Sequence, residues 1–498
     1  MAEDNKVSTV HPDYAIIKPD WDLVRDAING ETEVKKKSDI YCPMPSGFTK
    51  QTDGGQAMYA QYILRGKFPE IFAPTLRGMV GIIHRVEADI ELPPDMEYIR
   101  EKATLDGLPL AALHERITFE LLATGRYGIL VDAPSEGDGL PYFATYKAET
   151  IINWSLDQDF YVLDETHLER DGFEWKEAPQ YRILELLGEV NGSGQGQSYQ
   201  QRVFETDATG SLQETQPFVP QLKGGNKFTE IPFVVVGSTD IGPDLDEIPL
   251  VGVARCAFNM YRLDTDYKWQ LFMSGQETLF VYTDSDKVVD VVGAGVVISL
   301  PIGGSAQYVG PAGKGIEAHK NAIADERFQA VVAGARIFDT EKKAQESGEA
   351  LKMRWTAQTA SLTTIALNSS KGLERSLKNL ALMLGSDPEK VSVKANLKFI
   401  DQVLDPLKAK AIVEMWQSGA ISGETMWENF QKGDIASYDK TWEEELQLIE
   451  AEIPDLPAPV PTGKPVPNVT GNSGGGQPPP TGQDGNVPQN PNAGRTRA

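Results

Sequence analysis

Residues 249–274 read PLVGVARCAFNMYRLDTDYKWQLFMS, and residues 351–384 read LKMRWTAQTASLTTIALNSSKGLERSLKNLALML. These two stretches decide the fold. Neither has a proline beyond its first residue. Pro249 suits a first helical turn and Gly275 a stop, so the first stretch predicts a helix of about 26 residues, roughly 39 Å long. In the second, Leu351, Trp355, Leu362, Ile365, Leu373, Leu377, Leu380 and Leu384 keep three-to-four spacing or its multiples. That predicts a helix of about 34 residues, roughly 50 Å. The first stretch also carries an aromatic stripe, Phe258, Tyr261, Trp269 and Phe272. Such a stripe is either an ordinary core face or a face packed on a neighbouring subunit, and spacing alone does not choose.

Between the two helices, ETLFVYTD, GVVISLPIGG and AQYVGPAG predict β structure over 276–312, followed by a helix over Ile316–Phe338. TEKKAQESGEA, residues 340–350, is a polar loop with Gly348 as a breaker. Upstream, residues 1–55 are polar, broken by proline and glycine, and carry the run Lys35, Lys36, Lys37. They are expected to form an arm with little core of its own. Organised structure is expected from Met58, as a helix, a break at Pro69 and Pro74, and a second short helix. Leu110, Leu113, Ile117 and Leu121 mark another helix, with Gly125 as its stop and YGILVD as the strand that follows. Residues 140–245 read as strands and turns. Ile183–Val190 and Tyr199–Thr206 flank GSGQGQ as a hairpin, and IPFVVVG is a buried strand. Downstream, VSVKANLKF reads as a strand and 405–452 as helices. Beyond Pro454 the chain is Pro, Gly, Asn and Gln without hydrophobic periodicity, and disorder is expected. The fold class is α+β.

The 498 residues suffice for two or three packed cores. Lys and Arg number 47 against 72 Asp and Glu, a net charge of -25. A protein that grips DNA by neutralising phosphates has a basic excess, which this chain lacks. Cys42 and Cys256 lie far apart, so no disulfide framework is expected and a reducing cytoplasm fits. MAEDNKVSTV has neither a basic lead nor an apolar core, so it is not read as a secretory signal. No stretch approaches the roughly 18–20 apolar residues needed to span a bilayer, and no membrane partner is expected.

Catalytic chemistry finds little support. GPAGKG, 310–315, invites comparison with a phosphate-binding loop, but Tyr308 stands where a glycine is needed and Gly315 where Ser or Thr is needed. Asp132 at the end of ILVD then reads as a strand-end surface aspartate. His11, His84, His114, His167 and His319 are scattered without zinc spacing. Asp157, Asp159, Asp164 and Glu165, and Asp244, Asp246 and Glu247, are acidic enough to hold Mg²⁺ in a nuclease, but solvated loops are the plainer reading. No catalytic residue, metal or cofactor is assigned.

The order of pieces carries a resemblance. TLRGMVGIIHR, LLATGRYGILVDAP, PYFATYKAETIINW, EIPFVVVG, IPLVGVARCAFNMYRLDTDYKW, ESGEALKMRWTAQTASLTTIALNSSKGLERSL and MWQSGAISGETMWENF follow one another over about residues 56–453. Together they resemble a tailed-bacteriophage portal protein, the head-to-tail connector, of the branch long catalogued as a phage domain of unknown function. The resemblance implies an N-terminal arm over 1–55, a wing over 56–245, and stem helices over 246–275 and 313–339. It implies a β-rich clip over 276–312, a tunnel loop over 340–350, a long wing helix and strand over 351–400, and a helical crown over 401–453. A disordered tail over 454–498 completes the layout. It implies a twelve-subunit ring at one capsid vertex, in the virion and in host cytoplasm during assembly. Partners would be the major capsid protein, terminase, adaptor or tail proteins, and double-stranded DNA passing through the channel. An acidic channel wall would repel phosphate and keep the duplex centred. Lys342, Lys343 and Gln345 in the tunnel loop would touch DNA, and Phe258, Tyr261 and Trp269 would form the stem interface between subunits. Two other functions fit the composition: a metal-dependent DNA-processing nuclease, using the 157–165 carboxylates, and a minor head or scaffold protein.

Overall fold

The computed structural model describes residues 6–48, 54–133, 139–188, 197–206, 211–274, 278–282, 300, 302–309, 314–334, 348–397, 399, 406–432, 435–437 and 440–452. The chain divides into two compact units, Met1–Asp401 and Gln402–Ala498. The expected tail from 454 lies outside the described residues.

Helices of the first unit are α1 (Pro12–Asn29), α2 (Glu31–Lys36), α3 (Ser38–Tyr41), α4 (Gly55–Arg65), α5 (Phe72–Ile83), α6 (Tyr98–Glu101), α7 (Leu110–Thr124), α8 (Val251–Ser274), α9 (Lys314–Val332) and α10 (Gly348–Leu384). Its strands are β1 (Asp89–Glu91), β2 (Arg126–Asp132), β3 (Tyr142–Lys147), β4 (Ile151–Trp154), β5 (Phe160–Asp164), β6 (His167–Asp171), β7 (Glu174–Ala178), β8 (Gln180–Leu187), β9 (Ser198–Thr206), β10 (Leu212–Glu214), β11 (Phe233–Gly237), β12 (Thr278–Tyr282), β13 (Ser305–Val309) and β14 (Ser392–Lys394). One sheet runs β11-β2-β3 and another β10-β9-β8-β5-β4, both antiparallel. The hairpin expected around GSGQGQ is β8–β9, with Ile183 opposite Arg202. The protein is α+β, as expected.

The core forms where α7 and α10 cover the three-stranded sheet. α7 buries Leu110, Leu113, Ile117 and Leu121, and Gly125 ends it in the left-handed region at φ 78. The chain turns there into β2, which is buried at every position and lies between β11 and β3. α10 buries Leu362, Ile365, Leu373, Leu377 and Leu380 on one stripe. Gly372 lets that stripe settle on β11, because a Cβ there would collide with the Val236 side chain. The strand expected from VSVKANLKF is only the short β14, which pairs β1.

Residues 12–48 are not the loose arm that their polarity predicts. α1 buries Tyr14, Trp21, Val24 and Ala27. Trp21 is fully buried and its Nε1 donates to the Thr124 carbonyl at 2.9 Å. Arg25 bridges Glu120 and Glu149 at 2.5 and 2.6 Å. The apolar spacing is helical, but Pro19 sits inside the helix and masks it. The lysine run is spent on ion pairs: Lys35 with Glu31, Lys36 with Glu33, and Lys37 with buried Asp26.

Asp132 is likewise not a surface residue. It is buried, and Arg182 Nη1 donates to it at 3.0 Å while Arg182 Nε donates to Glu165 at 2.8 Å. The arginine thus ties the end of β2 to the five-stranded sheet. Glu165 also accepts from Tyr146 and Gln180. Among the described residues no group of three or more His, Cys, Asp or Glu could hold a metal ion, and no helix is long and apolar enough to cross a membrane.

The second unit holds α11 (Pro406–Gln417), α12 (Gly423–Lys432) and α13 (Trp442–Glu452), matching the helices expected over 405–452. Its packing centres on Trp442, with Trp416 and Trp427 rings 6.1 and 6.0 Å away.

Buried His114 and half-buried His84 lie between α5, α7 and α10. His84 and His114 meet edge to face at 4.8 Å. His114 Nε2 lies 3.2 Å from the hydroxyls of Ser369 and Ser370, and His84 Nε2 lies 2.7 Å from Thr118 Oγ1. Burial pulls His114 down to about 3, helped by His84. Burial also lowers His84, against the opposing pull of Glu115. The folded chain therefore binds fewer protons than the unfolded chain below pH about 6.5. Stability is full above that pH and falls as acid approaches the folded values, by about 1.4 kcal/mol per pH unit for each ring held neutral. We expect the urea midpoint to drop between pH 7 and pH 5. His114→Gln should flatten that drop, and an unchanged pH slope would refute the assignment.

Candidate functional site

α8 is held at one end and released at the other. Its first half buries Val253, Ala254, Ala257, Phe258, Met260 and Tyr261. Phe258 packs on Tyr41 at 4.2 Å and on Phe68 at 5.1 Å, and Tyr261 meets Phe68 at 6.1 Å. Polar ties surround this aromatic socket. Arg255 forks onto Asp20 at 2.9 Å, Arg262 Nε donates to the Tyr41 carbonyl at 2.6 Å, and the Lys67 amide donates to Asp264 at 2.7 Å. Tyr62 donates to Asp266 at 2.5 Å, and burial, followed by that carboxylate, pushes its hydroxyl far above the ordinary value.

Thr265 is the last fully buried residue of α8. Beyond it Trp269 is half-buried against Phe48 and Tyr62, at 5.3 and 5.9 Å. The Arg65 guanidinium lies over Phe272 at 3.9 Å and near Trp269 at 5.5 Å. Phe272 is 38% exposed and Met273 is exposed too.

α9 runs back along α8. A Cβ on Gly315 would lie 2.5 Å from Gln270 Nε2, so glycine sets the close approach of the two helices there. Farther along, Asn259 Nδ2 donates to Glu326 at 3.4 Å. The outer face of α9 leaves Phe328 and Val332 exposed.

Between the helices, β12 and β13 pair with Leu279 opposite Tyr308 and Phe280 opposite Gln307. Alternation puts Phe280, Tyr282 and Val309 on one face and Tyr308 on the other. Tyr282 is 59% and Tyr308 57% exposed, so neither face of the hairpin is covered. A two-stranded hairpin is marginal alone.

The structure divides the residues expected at a subunit interface. Phe258 and Tyr261 are buried inside the chain, where Tyr41 and Phe68 already satisfy them, so they do not face a neighbour. Trp269 sits at the margin. Lys342, Lys343 and Gln345 lie outside the described residues. Sequence reading missed Arg65, whose only local signal is a cation at the end of an aromatic helix, YILR.

Residues 249–382 match the family described as Domain of unknown function (DUF4055), a span that starts just before α8 and stops just short of the end of α10. No curated protein matches the sequence. Among solved structures, a chain in the neck of an empty GTA particle computed with C6 symmetry is similar at 13% identity and a TM-score of 0.39, over 76% of this chain and 93% of that one. A chain in the virion of a native gene transfer agent particle is similar at 14% identity and a TM-score of 0.39, over 72% and 88%. A third, in the neck of the native GTA particle computed with C12 symmetry, has 12% identity and a TM-score of 0.33, over 72% and 88%.

Core and surface aromatics of α8 should separate in a stability measurement. Phe258→Ala is expected to cost about 3–5 kcal/mol in urea unfolding. Phe272→Ala, partly exposed and held by the Arg65 guanidinium and the Trp269 ring, should cost about 1 kcal/mol or less. Equal costs would contradict the division of α8 at Thr265.

Proposed function

We propose that the chain is the portal subunit of a tailed bacteriophage, forming a ring through which DNA is packaged and ejected. The observation that carries this reading is the uncovered apolar surface at the far end of α8, on both faces of β12–β13 and along α9. One chain leaves that surface in water, and identical neighbours would cover it in a closed ring. The resemblance over residues 56–453 and the order of long helix, hairpin, helix and very long helix support the same reading.

In this layout residues 56–245 and the 351–384 helix form the wing, and α8 and α9 are the stem. Residues 276–312 form the clip that meets terminase during packaging and adaptor or tail proteins afterwards, and 401–453 form the crown. The break between compact units after Asp401 is consistent with that last boundary. The net charge of -25 suits a channel that must pass DNA without holding it. Lys342, Lys343 and Gln345, in the tunnel loop, would damp the duplex. Residues 12–48 belong with the wing rather than with a separate arm, since α1 packs on α7 and α5.

The test is particle size and shape. Purified protein imaged in negative stain should give rings, twelvefold when assembled with the capsid, and should not cleave DNA with Mg²⁺. Particles carrying Lys342→Ala with Lys343→Ala should keep normal ring yield but retain less DNA. A monomer that cleaves DNA in Mg²⁺ would establish the nuclease reading instead. A protein that binds capsid without ring formation would establish a minor head or scaffold role.

A further inference from the structure

Two features of the first unit lie away from α8 and α9 and are complementary in shape and charge. The first is the hairpin β6–β7. Every residue of β6 is exposed, and Phe173 at the turn is 98% exposed. Leu168 and Trp175 are exposed as well. The turn is stiffened from within: Arg170 Nε donates to the Gly172 carbonyl at 2.7 Å, and Lys176 pairs with Asp171. Phe173 is therefore held out into solvent rather than left on a slack loop. Glu169, Glu174 and Glu177 form no ion pair among the described residues, so the hairpin carries its apolar tip within a net negative surround.

The second feature is a cavity of about 580 Å³ where α5 and α7 meet β2 and β3. Val80, Ala112 and Phe119 give it an apolar lining, and Arg77, Arg116 and Lys147 bring three cations to it. All three cations are exposed and form no ion pair among the described residues. Of the two carboxylates there, Glu120 is already engaged by Arg25, and Glu115 remains. The volume admits an aromatic side chain with its flanking backbone. The excess of cations would oppose any basic or purely apolar guest.

We propose that Phe173 of one copy docks in the α5–α7 cavity of a second copy, with Glu174 and its neighbouring carboxylates meeting Arg77, Arg116 and Lys147. Both halves are on the same chain, yet Phe173 is almost wholly exposed, so the hairpin does not fill its own cavity. The contact is head to tail: each copy gives a hairpin to one neighbour and a cavity to the other. Such contacts close into rings or extend into filaments. An aromatic anchor in a pocket ringed by opposite charge combines affinity with fixed orientation. The inference deepens the ring reading and relies on it only for copies meeting head to tail.

The test uses full-length copies mixed in pairs. One carries Glu174→Cys, which keeps the Phe173 anchor, and the other Ala112→Cys, and the mixture is mildly oxidised beside wild type as the background. A cross-linked dimer should form in the mixture and not from either copy alone. Arg77→Glu with Arg116→Glu in the Ala112→Cys copy should abolish it. Phe173→Ala, a change at an exposed tip that leaves the core untouched, should weaken self-association on the order of tenfold or more. Rings that form normally with Phe173→Ala and show no cross-link would overturn this contact while leaving the ring reading intact. A cross-link in protein that never closes into rings would uphold the contact and sink the ring reading. Wild type that does not assemble, with no cross-link in the mixture, would remove both.

Discussion

Phe258 and Tyr261 lock the first half of α8 into an aromatic socket lined by Tyr41 and Phe68, and the rest of the molecule is arranged around that anchorage. The socket wall comes from α3 and from the chain between α4 and α5, so those short elements must be in place before α8 can be held. Arg255 and Arg262 reach back to Asp20 and to the Tyr41 carbonyl, adding orientation to hydrophobic hold. A long helix fixed so firmly at one end can carry its other end clear of the core. That is how exposed aromatics on α8 and on β12–β13 are tolerated in a folded chain, because most of the burial that stabilises the helix lies between Val253 and Thr265.

The sheets are joined by a different kind of constraint. Arg182 sits between Asp132 and Glu165, with Gln201 as a further acceptor at 2.8 Å. A buried carboxylate beside a half-buried one is costly unless a cation is held between them. The acidity that gives the chain its net charge is thus partly structural.

The long helices were legible because their periodicity is local. α8, α10, the β8–β9 hairpin and the stop at Gly125 all follow from spacing and from breakers within a few residues. What was not legible depends on partners far away in the chain. Pro19 made α1 look broken, though Trp21 is secured by the Thr124 carbonyl, 103 positions on. Asp132 read as a surface residue because nothing near it announces Arg182. The aromatic stripe of α8 showed that Phe258 and Tyr261 needed cover, but only the fold reveals that Tyr41 and Phe68 supply it. The candidate contact surface was half legible. Its β character was expected over 276–312, whereas the exposure of both hairpin faces is a property of the folded chain.

We propose that the far end of α8 and the β12–β13 hairpin are covered by neighbouring copies. Backbone hydrogen exchange of the full chain, compared between assembled and dissociated protein, tests it most directly. Protection of residues 278–282 and 305–309 should rise on assembly, while the buried strand 233–237 stays equally protected in both states. Unchanged exchange in the hairpin, in protein demonstrably assembled, would contradict the account.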